Sequence, residues 1–565
     1  MGGEEASRQS QGSEFGVPSL SPKVCGADSV AGSVTPLGRE PRGSFSVGVC
    51  HSHLGGSDFT ASAPEFFSGH RPPQRVGSEQ PGTNFKMPLR VMKFGGTSVG
   101  DAASIRRVVD IVLRASREST LVVVVSAMSG VTNKLIEAAT RAEARDRDSV
   151  AAIFAELRKQ HHAASSALVS STAERDAFNQ KMEQVLLEGE HLCGEISLLG
   201  ELHPKALDFI SSIGERISAP LVASALREWG MACEAVEATE LVVTDVVHGG
   251  AEPLMEQSRD RCEVRLHPLL QQGIVPVITG FIGATLDGVL TTLGRGGSDY
   301  SATILGAALD AHEVVIWTDV DGVLTADPRL VPDACTIPEI SYREATELAH
   351  FGAKVLHPKT LRPLMQSEIA VSIRNTFAPE RSGTKITPNP ASNGKSVKGL
   401  TAISDVTLIT LGGSAIRNGS DVVGRVLSVA AATRADVLRV WHCSAESNFS
   451  FVVPSKLGKS TVEALRREFA RDLAHDKVEH ITVNPDVAIV TVVGHKMHSV
   501  SGMVGRTVEA LARENMNIIA MAQNSSESNI CFVVAQNDVR AALVITHGAF
   551  QADMANSRGL VAKSY

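Results

Sequence analysis

Two stretches of the chain repeat one another without a gap. VVGRVLSVAAATRADVLRVWHCSAESNFSFVV at 422–453 aligns with MVGRTVEALARENMNIIAMAQNSSESNICFVV at 503–534, and a spacing of 81 residues holds from Gly424 to Gly505 and from Glu446 to Glu527. Val423, Leu427 and Ala430 fall opposite Val504, Val508 and Leu511, so both copies place an amphipathic helix in the same register. Each copy reads strand, helix, strand, polar turn, strand, the core of a ferredoxin-like α+β unit. The repeat predicts two consecutive small domains, at 401–480 and 481–547, with 548–565 as a tail.

The chain upstream of the repeat follows another rule. LRVMKF (89–94) reads as a strand, and Ile105, Val108, Val109 and Val112 then mark one apolar helix stripe. LVVVV (121–125), IVPVITGFI (274–282) and VVIW (314–317) are short continuous apolar runs, the mark of strands covered on both faces. Helical stretches such as EATELAHFG (344–352) separate them. This alternation predicts a three-layer α/β domain over 88–385 with a mostly parallel sheet, its active site at the carboxyl ends of the strands. The polar, proline-bearing stretch after residue 380 reads as a linker, bounded at 386–400.

Residues 1–87 are rich in Ser, Gly and Pro and lack periodicity, which predicts a disordered leader. An organelle transit segment is one reading, and Glu4, Glu5 and Glu14 weigh against it. Folding that starts near Met87 is the other, so a plastid and a cytoplasmic location both stand. A net charge of -8 gives no support to a nucleic-acid surface, and no apolar run approaches the roughly 20 residues of a membrane span. Eight cysteines without a CxxC pair argue against a zinc site or a disulfide framework.

Several short strings carry chemistry. KFGGTS (93–98) sets Lys93 at a strand end before Gly95 and Gly96, where a backbone can approach phosphate and a cation can face a transferring phosphoryl group. A plain strand-to-helix turn is the rival reading. Ser126 and Thr132 in VVVVSAMSGVTNKL suit a polar ligand or a helix cap. In GRGGSD (294–299), Arg295 offers a planar fork for a carboxylate, while Ser298 and Asp299 suit either a site or a cap of the following helix. WTDVDGVLTADPR (317–329) with FGAKVLHP (351–358) offers Thr318, Asp319, Arg329 and Lys354 to a nucleotide, or supplies only turns and surface charges.

In this order, KFGGTSV, GRGGSDYSA, WTDVDGV, DPR and FGAKVLHP, followed by two small repeated domains, resemble the aspartate kinases, an amino-acid kinase fold with tandem ACT domains. AQNSSES (522–528) and THGAF (546–550) are similar to the kinase half of the bifunctional aspartate kinase–homoserine dehydrogenases. No GxGxxG fingerprint is present, so no dehydrogenase is expected here, whether the chain is a monofunctional relative or a truncated product. The resemblance implies transfer of the ATP γ-phosphate to the side-chain carboxylate of L-aspartate, the first step of lysine, threonine and methionine synthesis. It implies that Lys93 stabilises the transferring group and Asp299 orients Lys93. Arg295 would bind the α-carboxylate and Glu215, in GERIS, the ammonium; Ser126, Thr132 and Ser298 would line the substrate loop. Gly95, Gly96, Thr318, Asp319, Arg329 and Lys354 would contact ATP, with Mg²⁺ carried by the phosphates and no metal held by protein side chains. It further implies a homo-oligomer and a threonine or lysine effector.

Two positions depart from the pattern. Leu324 stands where the family usually has an aromatic, so weaker ATP affinity is expected, and Leu324→Tyr should lower the ATP KM. His442 stands where the second copy has Gln523, the residue type that the bifunctional family uses for threonine. Gln523 is therefore expected to keep an effector site that His442 has altered or lost. Two rivals remain: another amino-acid kinase, and a catalytically silent amino-acid sensor.

Overall fold

In a computed structural model the described residues are 87–555, apart from 353–355, 391–396, 419, 444–446, 496, 498–499 and 524–527. The strands of the first part are β1 (Leu89–Phe94), β2 (Thr120–Val125), β3 (Cys233–Val236), β4 (Val275–Thr279), β5 (Ile282–Ala284), β6 (Leu290–Thr292), β7 (Glu313–Thr318), β8 (Glu339–Ser341), β9 (Ala370–Asn375) and β10 (Thr384–Thr387). Its helices are α1 (Ala102–Ala115), α2 (Val131–Glu143), α3 (Arg147–Leu168), α4 (Thr172–Leu199), α5 (Pro204–Glu228), α6 (Met255–Gln271), α7 (Gly297–Ala308), α8 (Tyr342–His350) and the single turn α9 (Arg362–Met365).

Eight of these strands form one sheet in the order β3-β4-β2-β1-β7-β9-β10-β8, parallel throughout except where β10 meets β9. Alternation along each strand explains the layers. Met92, Phe94, Val123 and Val125 pack into a core with α1–α5, while Val91, Val122 and Val124 point the other way into a core with α6, α7 and α8. Val122 to Val125 are all 0% exposed. Each such side chain contributes about 1.5–3 kcal/mol relative to exposure, which explains the unbroken apolar run. Asp101 fixes the start of α1 by accepting from Ser104 N at 2.7 Å. The chain leaves β1 toward β2 on one side and reaches β7 on the other, so the sheet reverses direction at β1. A crevice at such a switch point is where open α/β sheets bind ligands.

The stretch read as a linker does more than connect. Thr384–Thr387 is β10, held between β9 and β8. Its alternation is only TKIT, with Ile386 buried, too short to stand out among prolines and glycines. Beyond it runs the long strand β11 (Val397–Gly412).

The remainder comprises α10 (Ser420–Ala432), β12 (Arg439–Cys443), β13 (Asn448–Pro454), α11 (Ser455–Glu468), α12 (Ala470–Ala474), β14 (His480–Gly494), α13 (Met503–Arg513), β15 (Ala520–Gln523), β16 (Asn529–Ala535) and α14 (Val539–Ala555). One antiparallel sheet orders its strands β12-β13-β11-β14-β16-β15. β11 and β14 pair along their length, with register shifts near Ile403 and Val406. The second half of β11 pairs with β13 from Val406 to Gly412, whereas the second half of β14 pairs with β16 from Val487 to Val493.

The two repeats are therefore interleaved rather than consecutive. The second unit takes Val397–Ile403, which precedes the first unit in the chain, as its remaining strand. The aligned segment starts at 422, so it could not reveal that strand. Ala430 and Leu511 are buried as expected, but the other two positions of each stripe shift by one: the buried residues are Val422, Val426 and Ala430 in α10, and Met503, Thr507 and Leu511 in α13. These still correspond at a spacing of 81, so the duplication holds while the core face is rotated. Leu427 and Val508 are exposed.

Candidate active site

At the carboxyl end of β1, Lys93 is 7% exposed and its Nζ lies 2.5 Å from Asp299 Oδ1. The helix α7 begins at the N-cap Gly296 with no side-chain cap, and Asp299 in its first turn reaches the lysine instead. The capping alternative for Ser298 and Asp299 is thus excluded. Gly95 gives its N–H to Trp317 O at 3.0 Å, and a Cβ there would stand 3.4 Å from Lys93 Nζ, so the absent side chain leaves the ammonium its room.

Gly294 and Gly296, with φ of 78° and 70°, bend the chain on either side of Arg295. The turn holds Arg295 exposed at the cavity, where it has no ion pair among the described residues. Glu215 reaches the same cavity from the middle of α5 and is 3% exposed. The backbone N–H of Ala127 faces its carboxylate, and Oε2 has no hydrogen-bond partner among the described residues. Burial pushes the Glu215 carboxyl up to about 8, opposed by that backbone N–H and by the charge on Lys93. A cationic group arriving there would reverse the shift.

The cavity has a volume of about 560 Å³. Lys93, Gly95, Gly96, Ser126, Thr132 and Glu215 line it, and so do Arg295, Ser298, Asp299, Thr318 and Asp319. Every residue singled out for catalysis or substrate thus meets in one place, although they are up to 206 positions apart, from Lys93 to Asp299. Its opposite charges, a lysine-carboxylate pair beside a free guanidinium and a buried carboxyl, suit an anionic nucleotide and a zwitterionic acid.

One of the expected nucleotide contacts lies elsewhere. Arg329 is exposed and paired with Asp327, its Nη2 lying 2.6 Å from Oδ2. It lines a second cavity of about 370 Å³ with Leu324, Leu400 and Leu543, which shares Thr318 and Asp319 with the first. Lys354 lies outside the described residues. Of the effector candidates, His442 is exposed on β12 with Nε2 3.3 Å from Ile416 O, and Gln523 is exposed at the end of β15.

Phe281 also lines the main cavity and was not foreseen. Its φ of 72° is unfavourable for a side chain of this size, and its N–H is held by Ser301 Oγ at 2.9 Å. The only sequence signal was its place after the Thr-Gly that ends β4. Asp208 on α5 was likewise missed.

Known proteins share this fold. The Amino acid kinase family profile matches residues 88–375, and an ACT domain profile matches 490–550. The chain is 35% identical over 468 residues to a chloroplastic bifunctional aspartokinase/homoserine dehydrogenase 1 of Arabidopsis thaliana, covering 81% of this chain and 51% of that protein. It thus spans about half the length of such bifunctional relatives. The chloroplastic aspartokinase 1 of the same plant is 30% identical, with 81% of this chain and 80% of that protein covered. Among solved structures, E. coli aspartokinase III in complex with aspartate and ADP superposes with a TM-score of 0.68 at 29% identity, covering 82% of this chain and all of that one. The fold, the interleaved regulatory units and these likenesses together place the chain in the aspartokinase family.

Proposed function

We propose that the chain transfers the γ-phosphoryl group of ATP to the side-chain carboxylate of L-aspartate, giving 4-phospho-L-aspartate and ADP. The observation that carries this reading is the convergence of the Lys93–Asp299 pair, the exposed Arg295 and the buried Glu215 on one cleft. Arg295 grips the α-carboxylate and Glu215 the ammonium, which leaves the side-chain carboxylate directed at the phosphate. An oxygen of that carboxylate forms a bond to the γ-phosphorus while the bond to the bridging β-phosphate oxygen breaks, and ADP leaves with the electron pair. The nucleophile is ionised near neutral pH, so no general base is needed. Lys93, oriented by Asp299, faces the negative charge of the transferring group.

Backbone at Gly95 and Gly96, with Thr318 and Asp319, lies where a nucleotide would rest, and the second cavity offers Leu324 and Arg329 to its far end. Among the described residues no group of three or more His, Cys, Asp or Glu could hold a metal ion. Mg²⁺ would be held by the nucleotide phosphates, whose charge it neutralises, as phosphoryl transfer requires. The interleaved ACT pair fits feedback by an amino acid, threonine or lysine, with Gln523 and His442 as contacts, and a homo-oligomer. The chloroplastic relatives favour a plastid location; among the described residues no helix is long and apolar enough to cross a membrane.

Trapping with hydroxylamine tests the reaction. Purified chain with ATP, Mg²⁺ and aspartate should yield aspartyl hydroxamate in step with ADP. ADP release that does not depend on aspartate, or that glutamate supports equally well, would overturn the reading.

A further inference from the structure

The carboxylate of Asp208 is buried among hydrogen-bond donors, and the reaction leaves it without a task. It is 2% exposed, on α5. Oδ2 lies 2.7 Å from His248 Nδ1. Gly249 N donates to Oδ1 at 3.0 Å and Oδ2 at 3.2 Å, Thr292 Oγ1 donates to Oδ1 at 2.5 Å, and Thr292 N donates to Oδ2 at 3.3 Å. No lysine or arginine pairs with it among the described residues. A carboxylate placed there, with its lone pairs filled by two separate loops, acts as a clamp between them.

What the clamp holds is informative. Thr292 ends β6, two residues before the turn that carries Arg295. Gly249 and Gly250 press on that turn from outside: a Cβ on Gly294 would stand 3.0 Å from Gly249 O and 3.2 Å from Gly250 Cα. Ala251 N bonds back to Thr292 O at 2.9 Å, which closes the ring. On the other side, Asp208 and Glu215 are seven residues apart on α5, two helical turns along one face. One helix therefore presents a carboxylate to the amino acid and, with a second carboxylate, fastens the loop that presents the guanidinium.

We propose that Asp208 is a positioning residue that sets Arg295 against Glu215, fixing the distance between the groups that grip the α-carboxylate and the ammonium of the amino-acid substrate. The inference rests on the substrate reading of those two residues given above. Asp208 touches neither substrate nor nucleotide; it acts through the glycine turn.

Steady-state kinetics of the full chain with ATP and Mg²⁺ test it, in wild type, Asp208→Asn, Arg295→Gln and the double variant. Asp208→Asn should raise the aspartate KM about tenfold and leave the ATP KM within about twofold. In the Arg295→Gln background the same substitution should change the aspartate KM by less than about twofold, because the contact it serves is already gone. Equal rises in both KM values, or the same penalty in both backgrounds, would overturn the proposal and leave a purely structural clamp. Should Asp208→Asn fail to fold, Thr292→Val removes the 2.5 Å hydroxyl bond and runs through the same cycle with the same outcomes. A wild type without aspartate-dependent ADP release would instead refute the functional reading, which separates the two failures.

Discussion

Glu215 shows how far single residues were legible. Its role came from resemblance at GERIS, yet composition and spacing gave no reason to pick it from 62 acidic side chains. Its signature is three-dimensional: a carboxyl 3% exposed with an oxygen lacking a partner, pushed up to about 8 by burial. For a carboxyl whose folded pKa is raised, stability is fully present below the unfolded value of about 4.3 and is lost as pH rises through the folded value. Ligand-free Glu215→Gln should therefore melt near wild type at pH 5 and progressively above it as pH climbs through 8. Thermal melts across pH 5 to 9 check this, and a constant difference would contradict the buried charge. Arg295 was easier, because an arginine among three glycines stands out, whereas KFGG alone left Lys93 open to a plain strand-to-helix turn. Asp208 was invisible, since its partners Thr292 and Gly249 come from distant loops.

At the scale of elements, the apolar runs located β2, β4 and β7 because a strand buried on both faces needs no alternation. Short β10 escaped notice for the opposite reason, and the one-residue rotation of α10 and α13 arose because Val422 and Val423 are equally apolar. The glycine turn before α7 was recognised by residue type, and the structure supplies its reason in backbone geometry. Gly296 has φ of 70°, and a Cβ there would stand 3.0 Å from His357 Cβ. Gly296→Ala should cost about 1–2 kcal/mol of stability from the left-handed conformation alone. It should also raise the aspartate KM by shifting Arg295. Denaturant melts and kinetics measure both, and a variant as stable and as avid as wild type would show that the turn tolerates a side chain.

In the whole molecule, polar bonds join the α/β domain to the repeated units that follow it. Thr325 Oγ1 lies 3.0 Å from His547 Nε2, Leu400 N donates to Thr325 O at 2.7 Å, and Asn529 Nδ2 donates to Glu347 Oε2 at 2.5 Å. No sequence pattern reports such junctions, because each joins residues far apart in the chain whose pairing leaves no local signal. Burial holds the pKa of His547 and of His161 below the usual imidazole value. A histidine depressed in this way takes up its proton more readily unfolded, so stability is lost as pH falls below about 6.5. His161 is fully buried, with Nδ1 2.8 Å from Leu157 O and Nε2 without a partner. The melting temperature should decline between pH 7 and 5, and His161→Leu should decline less; parallel curves would assign the acid sensitivity elsewhere.

The account stands on Lys93 facing the transferring phosphoryl group across the cleft from Arg295. The most direct measurement is aspartate-dependent ADP release at saturating ATP for wild type and Lys93→Ala, with thermal melts to verify folding. The account predicts a fall in kcat of about 10³-fold in a folded variant that still binds aspartate. A folded Lys93→Ala enzyme turning over within a few-fold of wild type would contradict it.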